Sequence, residues 1–210
     1  MENIKQELAR KLLEIKAIKL STKEPFTWAS GWKSPFYCDN RKTLSYPEIR
    51  SLVKQNIAEI AKIHFPQADA IAGVATGAIA QGVLVADILK LPFAYVRSKN
   101  KDHGLGNLIE GELPKSANVL VIEDLISTGG SSLKAVDALR SSGFNVVGMI
   151  AAFTYGFNVA VEAFKKAAVR LETLTNYDAV LQEALRIDYI SQDDIEVINN
   201  WRANPSDWKQ

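Results

Sequence analysis

Apolar positions along the 210-residue chain follow two rhythms, and their alternation predicts the fold. Ile4, Leu8, Leu12 and Ile15 recur at helical spacing between lysines and glutamates, so the chain is expected to open with an amphipathic helix. Ile49, Val53, Ile57 and Ile60 repeat the pattern across a helix expected from Tyr46 to His64. His64, beside Pro66, reads as a surface or capping residue. Short unbroken apolar runs at 70–74, 91–96, 119–122 and 146–153 predict strands buried on both faces. Small-residue or amphipathic helices follow, one reaching Leu89, one across 133–139 and one across 159–167. A short strand near 171–174 and two closing helices complete the pattern, with Trp201 and Trp208 as packing anchors. Strands alternating with helices predict an α/β fold with a mostly parallel central sheet flanked by helices, and ligands at the carboxyl ends of its strands.

Composition narrows the class. With 25 basic and 24 acidic residues the formal net charge is +1, so no global field draws nucleic acid or an anionic membrane. No apolar run is long enough to span a bilayer, and Met1 to Leu20 carries charges throughout, so no secretion signal is expected. Cys38 is the only cysteine, which leaves no internal disulfide, and two separated histidines make a poor start for a zinc site. The expectation is a cytoplasmic enzyme of one domain over 1–210: N-terminal helix and hood to 45, core 46–175, closing helices 176–210.

The stretch with the most chemistry follows the 119–122 run. Glu123 and Asp124 stand at its end, then Leu125, Ile126, Ser127, Thr128, Gly129, Gly130, Ser131 and Ser132 before the next helical pattern. A strand ending in a hydroxyl- and glycine-rich turn that feeds a helix makes an anion site, because the first N–H groups of the helix lack intrahelical partners. The two acids repel such an anion. They call for hydroxyls or a cation, which a sugar ring or a hydrated Mg²⁺ supplies. A second turn, Ala75-Thr76-Gly77-Ala78, also links a strand to a helix. Gly73 and Gly77 lack dinucleotide-fingerprint spacing, and no Gly-Lys-Ser/Thr occurs to make a nucleotide-binding P-loop. After the 91–96 strand comes a glycine-punctuated segment, 97–111, carrying Arg97, Lys99, Lys101 and His103 without helical or strand period. It is expected to be a mobile basic loop able to meet developing negative charge.

The acid pair and turn resemble the phosphoribosyl-pyrophosphate signature of the type I phosphoribosyltransferases. Two further motifs resemble the orotate-specific branch of that family. One is Phe26-Thr27 with Ser30-Gly31, Ser34-Pro35 and Phe36-Tyr37, in an aromatic segment expected to form a hairpin that hoods a flat base. The other is Arg97 followed by Lys101-Asp102-His103-Gly104. The resemblance implies transfer of ribose 5-phosphate from phosphoribosyl pyrophosphate to orotate, giving orotidine 5′-monophosphate in pyrimidine (UMP) synthesis, with Mg²⁺ as cofactor carried by the substrate and no direct protein ligand. It implies that Lys101, Glu123 and Asp124 are catalytic. Arg97, Lys101 and His103 would contact pyrophosphate, and Glu123 and Asp124 the ribose hydroxyls. Leu125, Ile126, Ser127, Thr128, Gly129, Gly130 and Ser131 would line the phosphate site, with Ser127 also at the orotate-contacting position. A homodimer is implied, with the 97–111 loop reaching the partner's site.

Some members carry basic residues that this chain lacks. Ser98, Ala29, the 75–77 turn and Tyr155 stand at or near those positions. Lys33 or Arg41 are the expected substitutes for neutralising the orotate carboxylate. Two alternatives remain: a phosphoribosyltransferase for a purine or uracil, and a non-catalytic regulator on the same fold. The loop and hood disfavour the first; the intact loop and near-neutral charge disfavour the second.

Overall fold

The computed structural model describes residues 2–28, 31–98 and 108–208. Lys101, His103 and Ala29 lie outside the described residues. The chain opens with α1 (Glu2–Glu14), followed by β1 (Ile18–Leu20), β2 (Phe26–Thr27), β3 (Lys33–Ser34), β4 (Phe36–Cys38) and a 3-10 helix at Asn40–Ser45. Then come α2 (Pro47–His64), β5 (Ala70–Val74), α3 (Ile79–Leu89), β6 (Phe93–Val96) and β7 (Ile109–Glu110). β8 (Asn118–Ile126), α4 (Gly130–Ser141), β9 (Asn145–Thr154), α5 (Asn158–Lys166), β10 (Leu171–Asn176), α6 (Tyr177–Arg186) and α7 (Gln192–Ala203) complete it.

Six strands form the central sheet in the order β10-β9-β8-β5-β6-β7, all parallel except β7, which pairs antiparallel with β6. Alternation along β8 explains why its sequence reads as one apolar run. Leu120 and Ile122 enter the layer that holds α1, α2, α3, α6 and α7, while Val119 and Val121 enter the layer under α4 and α5. Each strand residue finds an apolar layer on its own side, which is the condition for a strand hydrophobic on both faces. Apolar burial on both sides fixes the sheet, and the sheet fixes where its carboxyl ends emerge.

Three local features differ from the expectations. β8 continues through the acids to Ile126, because its ladder with β9 persists at Leu125↔Phe153 and Ile126↔Thr154. The aromatic segment is not one hairpin. β2 pairs with β3, whereas β4 turns away to pair with β1 through Ile18↔Cys38. The 97–111 segment is not wholly irregular either, since Ile109 returns alongside Val96 in β7.

The N-terminal segment is tied to the closing helices. Trp201 is fully buried and its indole donates to the Lys33 carbonyl at 3.1 Å. Trp28 donates to the Phe36 carbonyl at 3.1 Å. α7 begins with a capping box: the Ser191 hydroxyl accepts from the Asp194 backbone N–H, the Asp194 carboxylate accepts from the Ser191 backbone N–H, and Asp194 also accepts from Thr22 at 2.5 Å. The base of the hood therefore belongs to the same packing unit as α7.

Candidate active site

Glu123 and Asp124 follow Ile122, the last β8 residue paired with β5, while β8 stays paired with β9 beyond them; the two acids differ in surroundings. Glu123 is only 5% exposed. Its carboxylate accepts from the Ser132 hydroxyl at 2.7 Å and from the Asp124 backbone N–H at 3.0 Å. Burial first, then the neighbouring Asp124 charge, pushes the Glu123 carboxyl up to about 8, against the two hydrogen bonds that favour its ionised form. Asp124 is half-buried and also raised, chiefly by burial, with Glu123 hydrogen bonding and the Arg41 guanidinium pulling the other way. Burial thus disfavours charge on both acids, and further hydroxyl donors, such as those of a sugar diol, would favour the ionised forms.

The turn after β8 leads directly into α4. Gly129 caps α4 at φ +80, a conformation that favours glycine, and a Cβ there would meet the Phe164 ring at 2.9 Å. The first helical bond runs from Leu133 N–H to the Gly129 carbonyl at 2.9 Å, so the N–H groups before it face outward. Ser127 is half-buried, and Thr128, Gly130 and Ser131 are exposed. Leu125 and Ile126 turn their side chains into the two apolar layers. The Ile126 carbonyl accepts from Tyr155 N–H at 3.0 Å, so Ile126 serves the sheet.

A cleft of about 720 Å³ runs from this turn to the ends of β5 and β6. Gly130, Ser131 and Lys134 line one side, and Ala75, Arg97 and Ser98 the other. Arg97 leaves β6 with its backbone N–H on the Leu108 carbonyl at 2.8 Å and its guanidinium 3.4 Å from Glu110. The 75–78 turn, whose Ala75–Thr76 bond is cis, approaches from the neighbouring strand. A Cβ added at Gly77 would collide with the Asp124 carboxylate, so the turn and the acid pair share one space. The fold thus brings Arg97, Gly130 and Ser131 to one cleft, with Glu123 and Asp124 on the strand that leads into the 127–131 turn.

Neighbours that the sequence reading did not single out complete the support. Ser132 locks Glu123, and Lys134 adds a cation at the cleft one turn into α4. Asn40 is buried and donates to the Asp124 carbonyl at 2.6 Å, while its own carbonyl accepts from Thr43 at 2.7 Å. Of the residues considered for a carboxylate, Lys33 donates to Thr27 at 3.2 Å and Arg41 pairs with Asp39 at 2.7 Å. Tyr155 is 2% exposed, with the rings of Trp28, Phe36, Phe153 and Phe157 all within 5.3 Å centroid to centroid. It is a core residue, and burial pushes its hydroxyl well above the usual range. His64 bonds to Glu172 at 2.8 Å, away from this cleft.

A family model described as the phosphoribosyl transferase domain matches residues 45–182. An orotate phosphoribosyltransferase of Phocaeicola vulgatus is 65% identical over 209 residues, covering 100% of this chain and 99% of its own. The chain belongs to the orotate phosphoribosyltransferase family. A Porphyromonas gingivalis member is 60% identical over 208 residues, covering 99% of each chain. Among solved structures, the orotate phosphoribosyltransferase of Aeropyrum pernix overlays with a TM-score of 0.76 at 28% identity, over 88% of this chain and 99% of its own. The fold is that of the type I phosphoribosyltransferases, and the acid pair and turn that carried the resemblance lie within the matched domain.

Proposed function

We propose that this chain transfers ribose 5-phosphate from phosphoribosyl pyrophosphate to orotate, giving orotidine 5′-monophosphate and pyrophosphate. One observation carries the reading beyond family membership: two desolvated acids and an open anion-binding turn stand side by side at the end of a single strand, across a cleft from Arg97. The turn at 127–131 receives the 5′-phosphate on its backbone N–H groups. Glu123 and Asp124 accept the ribose hydroxyls, and their charge favours the positive charge that builds at C1. Arg97 stands where the pyrophosphate leaves. Lys101 and His103, outside the described residues, join it there on the strength of the sequence motif. The C1–O bond breaks with its electron pair going to pyrophosphate. Orotate N1 bonds to C1, and the N1 proton is released.

No three His, Cys, Asp or Glu converge into a metal cluster among the described residues. The donors ahead of the turn are instead one carboxylate bound by Ser132 and one half-buried Asp124. Such a set fits a Mg²⁺ ion brought on the pyrophosphate rather than one held by the protein alone. When bound, that ion offsets charge on the leaving group. The reading extends to a homodimer in the cytoplasm, with the 97–111 segment serving the partner's site. Among the described residues no helix is long and apolar enough to cross a membrane.

A base panel tests the reading. With phosphoribosyl pyrophosphate and Mg²⁺, orotate should be consumed with equimolar pyrophosphate release, while uracil, adenine and hypoxanthine stay unchanged. Consumption of a purine or uracil in preference to orotate would refute it. So would phosphoribosyl pyrophosphate binding with no base consumed.

A further inference from the structure

β9 ends at Thr154, and the chain leaves it through Tyr155, Gly156 and Phe157 before α5 begins. Sheet order puts this exit on the opposite side of β8 from β5 and β6, whose ends carry the 75–78 turn and Arg97. A cavity of about 580 Å³ opens on the β9 side, between Trp32 of the hood, Thr128 of the phosphate turn, Phe157 and α7. Arg202 is the one charged side chain among its described lining residues.

The guanidinium of Arg202 is held from three sides. It lies 4.4 Å over the Tyr177 ring, Nη1 donates to Asp178 at 2.6 Å, and Nη2 donates to the Gly156 carbonyl at 3.4 Å. Gly156 has φ +64, and a Cβ there would stand 2.9 Å from Nη2. The missing side chain is what lets the guanidinium reach this part of the backbone. Arg202 is 27% exposed, whereas Asp178 is 59% exposed, so solvent screens the Asp178 charge. The remaining N–H edge of the fork suits a planar carboxylate, and the half-buried Trp32, which lines the same cavity, suits a flat ring.

The reaction geometry points the same way. A displacement at C1 sets the entering and leaving groups on opposite faces of the ribose. With the hydroxyls on Glu123 and Asp124 and the pyrophosphate toward β5 and β6, the acceptor base arrives from the β9 side. Neither Lys33 nor Arg41 lines this cavity, whereas Arg202 does. We infer that Arg202 recognises the carboxylate of the acceptor base and so separates orotate from uncharged pyrimidines. This inference rests on the orotate reading proposed above.

Steady-state kinetics of Arg202→Gln, Arg202→Lys, Asp178→Asn, Lys33→Ala and Arg41→Ala test it, with KM measured separately for orotate and phosphoribosyl pyrophosphate. Arg202→Gln should raise the orotate KM roughly ten- to a hundredfold, the range of a lost charge-assisted hydrogen bond, with the other KM within about threefold. Inhibition by uracil should not change. Asp178→Asn and Lys33→Ala should each keep the orotate KM within about threefold of the parent chain, whereas Arg41→Ala, which removes a charge acting on Asp124, should move the KM for phosphoribosyl pyrophosphate and leave the orotate KM less affected than Arg202→Gln does. An unchanged orotate KM in folded Arg202→Gln would overturn the inference. So would an equal loss in Asp178→Asn, which would mean that the ion pair and not the fork matters. Should Arg202→Gln not fold, Arg202→Lys decides: loss of the fork should still raise the orotate KM several-fold, and an unchanged value would overturn the inference. A parent chain that leaves orotate untouched brings down the functional reading as well, whereas an active parent with an insensitive Arg202 brings down this inference alone.

Discussion

The Ser132 hydroxyl donates to Glu123 Oε2 at 2.7 Å, tying the first turn of α4 back to the strand that precedes it. Both residues are buried, so the bond holds the acid in one place while the 127–131 turn closes between them. Ser132→Ala would leave a buried carboxyl short of a partner, at a cost of about 1–3 kcal/mol in stability. Urea denaturation should show that loss, and the KM for phosphoribosyl pyrophosphate should rise several-fold. Unchanged values for both would mean that Ser132 does not position Glu123.

Glu123 also sets a pH dependence. Its folded carboxyl titrates at about 8, against an ordinary value near 4.5. A raised carboxyl binds a proton in the folded chain that the unfolded chain has already lost, so its contribution to stability is full below about pH 4.5 and is lost as pH rises toward 8. The ligand-free chain should therefore be more stable at pH 6 than at pH 8.5, on the order of a few kcal/mol, and melt at a higher temperature. Glu123→Gln should flatten that slope. Hydroxyl donors from the ribose favour the ionised acid, so binding of phosphoribosyl pyrophosphate at pH 7 should release protons, measurable by calorimetry in buffers of different ionisation heat.

Gly77 stands against the Asp124 carboxylate, close enough that a methyl group there displaces it. Gly77→Ala should raise the KM for phosphoribosyl pyrophosphate by roughly tenfold or more while the circular dichroism spectrum stays that of the parent. A kinetically silent Gly77→Ala would show that the turn and the acid do not act on one ligand.

Much of the sheet was legible because β5, β8 and β9 are covered on both faces, which leaves unbroken apolar runs in the sequence. The helix expected from Tyr46 to His64 was equally plain from its apolar period, and it starts at Pro47. The acids and turn of the site were legible as a local motif. Contacts between distant segments were not. Gly77 meets Asp124 from another strand, Asn40 reaches the Asp124 carbonyl, and Arg202 reaches Gly156 from the last helix. Each depends on the order of strands, which a single sequence does not print. The hood split for a similar reason: β4 prefers β1, a partner that lies before the hairpin and adjoins the α1 layer. Tyr155 reads the same in sequence whether exposed or buried, and the aromatic rings around it come from five separate elements and turns.

Lys101 carries the leaving-group role in the proposed reaction. Lys101→Ala should lower kcat by roughly a hundredfold or more with phosphoribosyl pyrophosphate still bound, since its charge matters most as pyrophosphate departs. If the segment serves the partner's site, mixing Lys101→Ala with Asp124→Asn should restore activity, because some mixed dimers hold one site with both groups intact. No recovery on mixing would place Lys101 and Asp124 of one chain in the same site.

The most direct test of the central claim is the ultraviolet absorbance of orotate incubated with the purified chain, phosphoribosyl pyrophosphate and Mg²⁺. The orotate signal should fall only when all are present, and addition of pyrophosphate should restore it by driving the reaction back. A signal that stays constant, with phosphoribosyl pyrophosphate bound at the 127–131 turn, would contradict the account and leave the phosphate site without its proposed reaction.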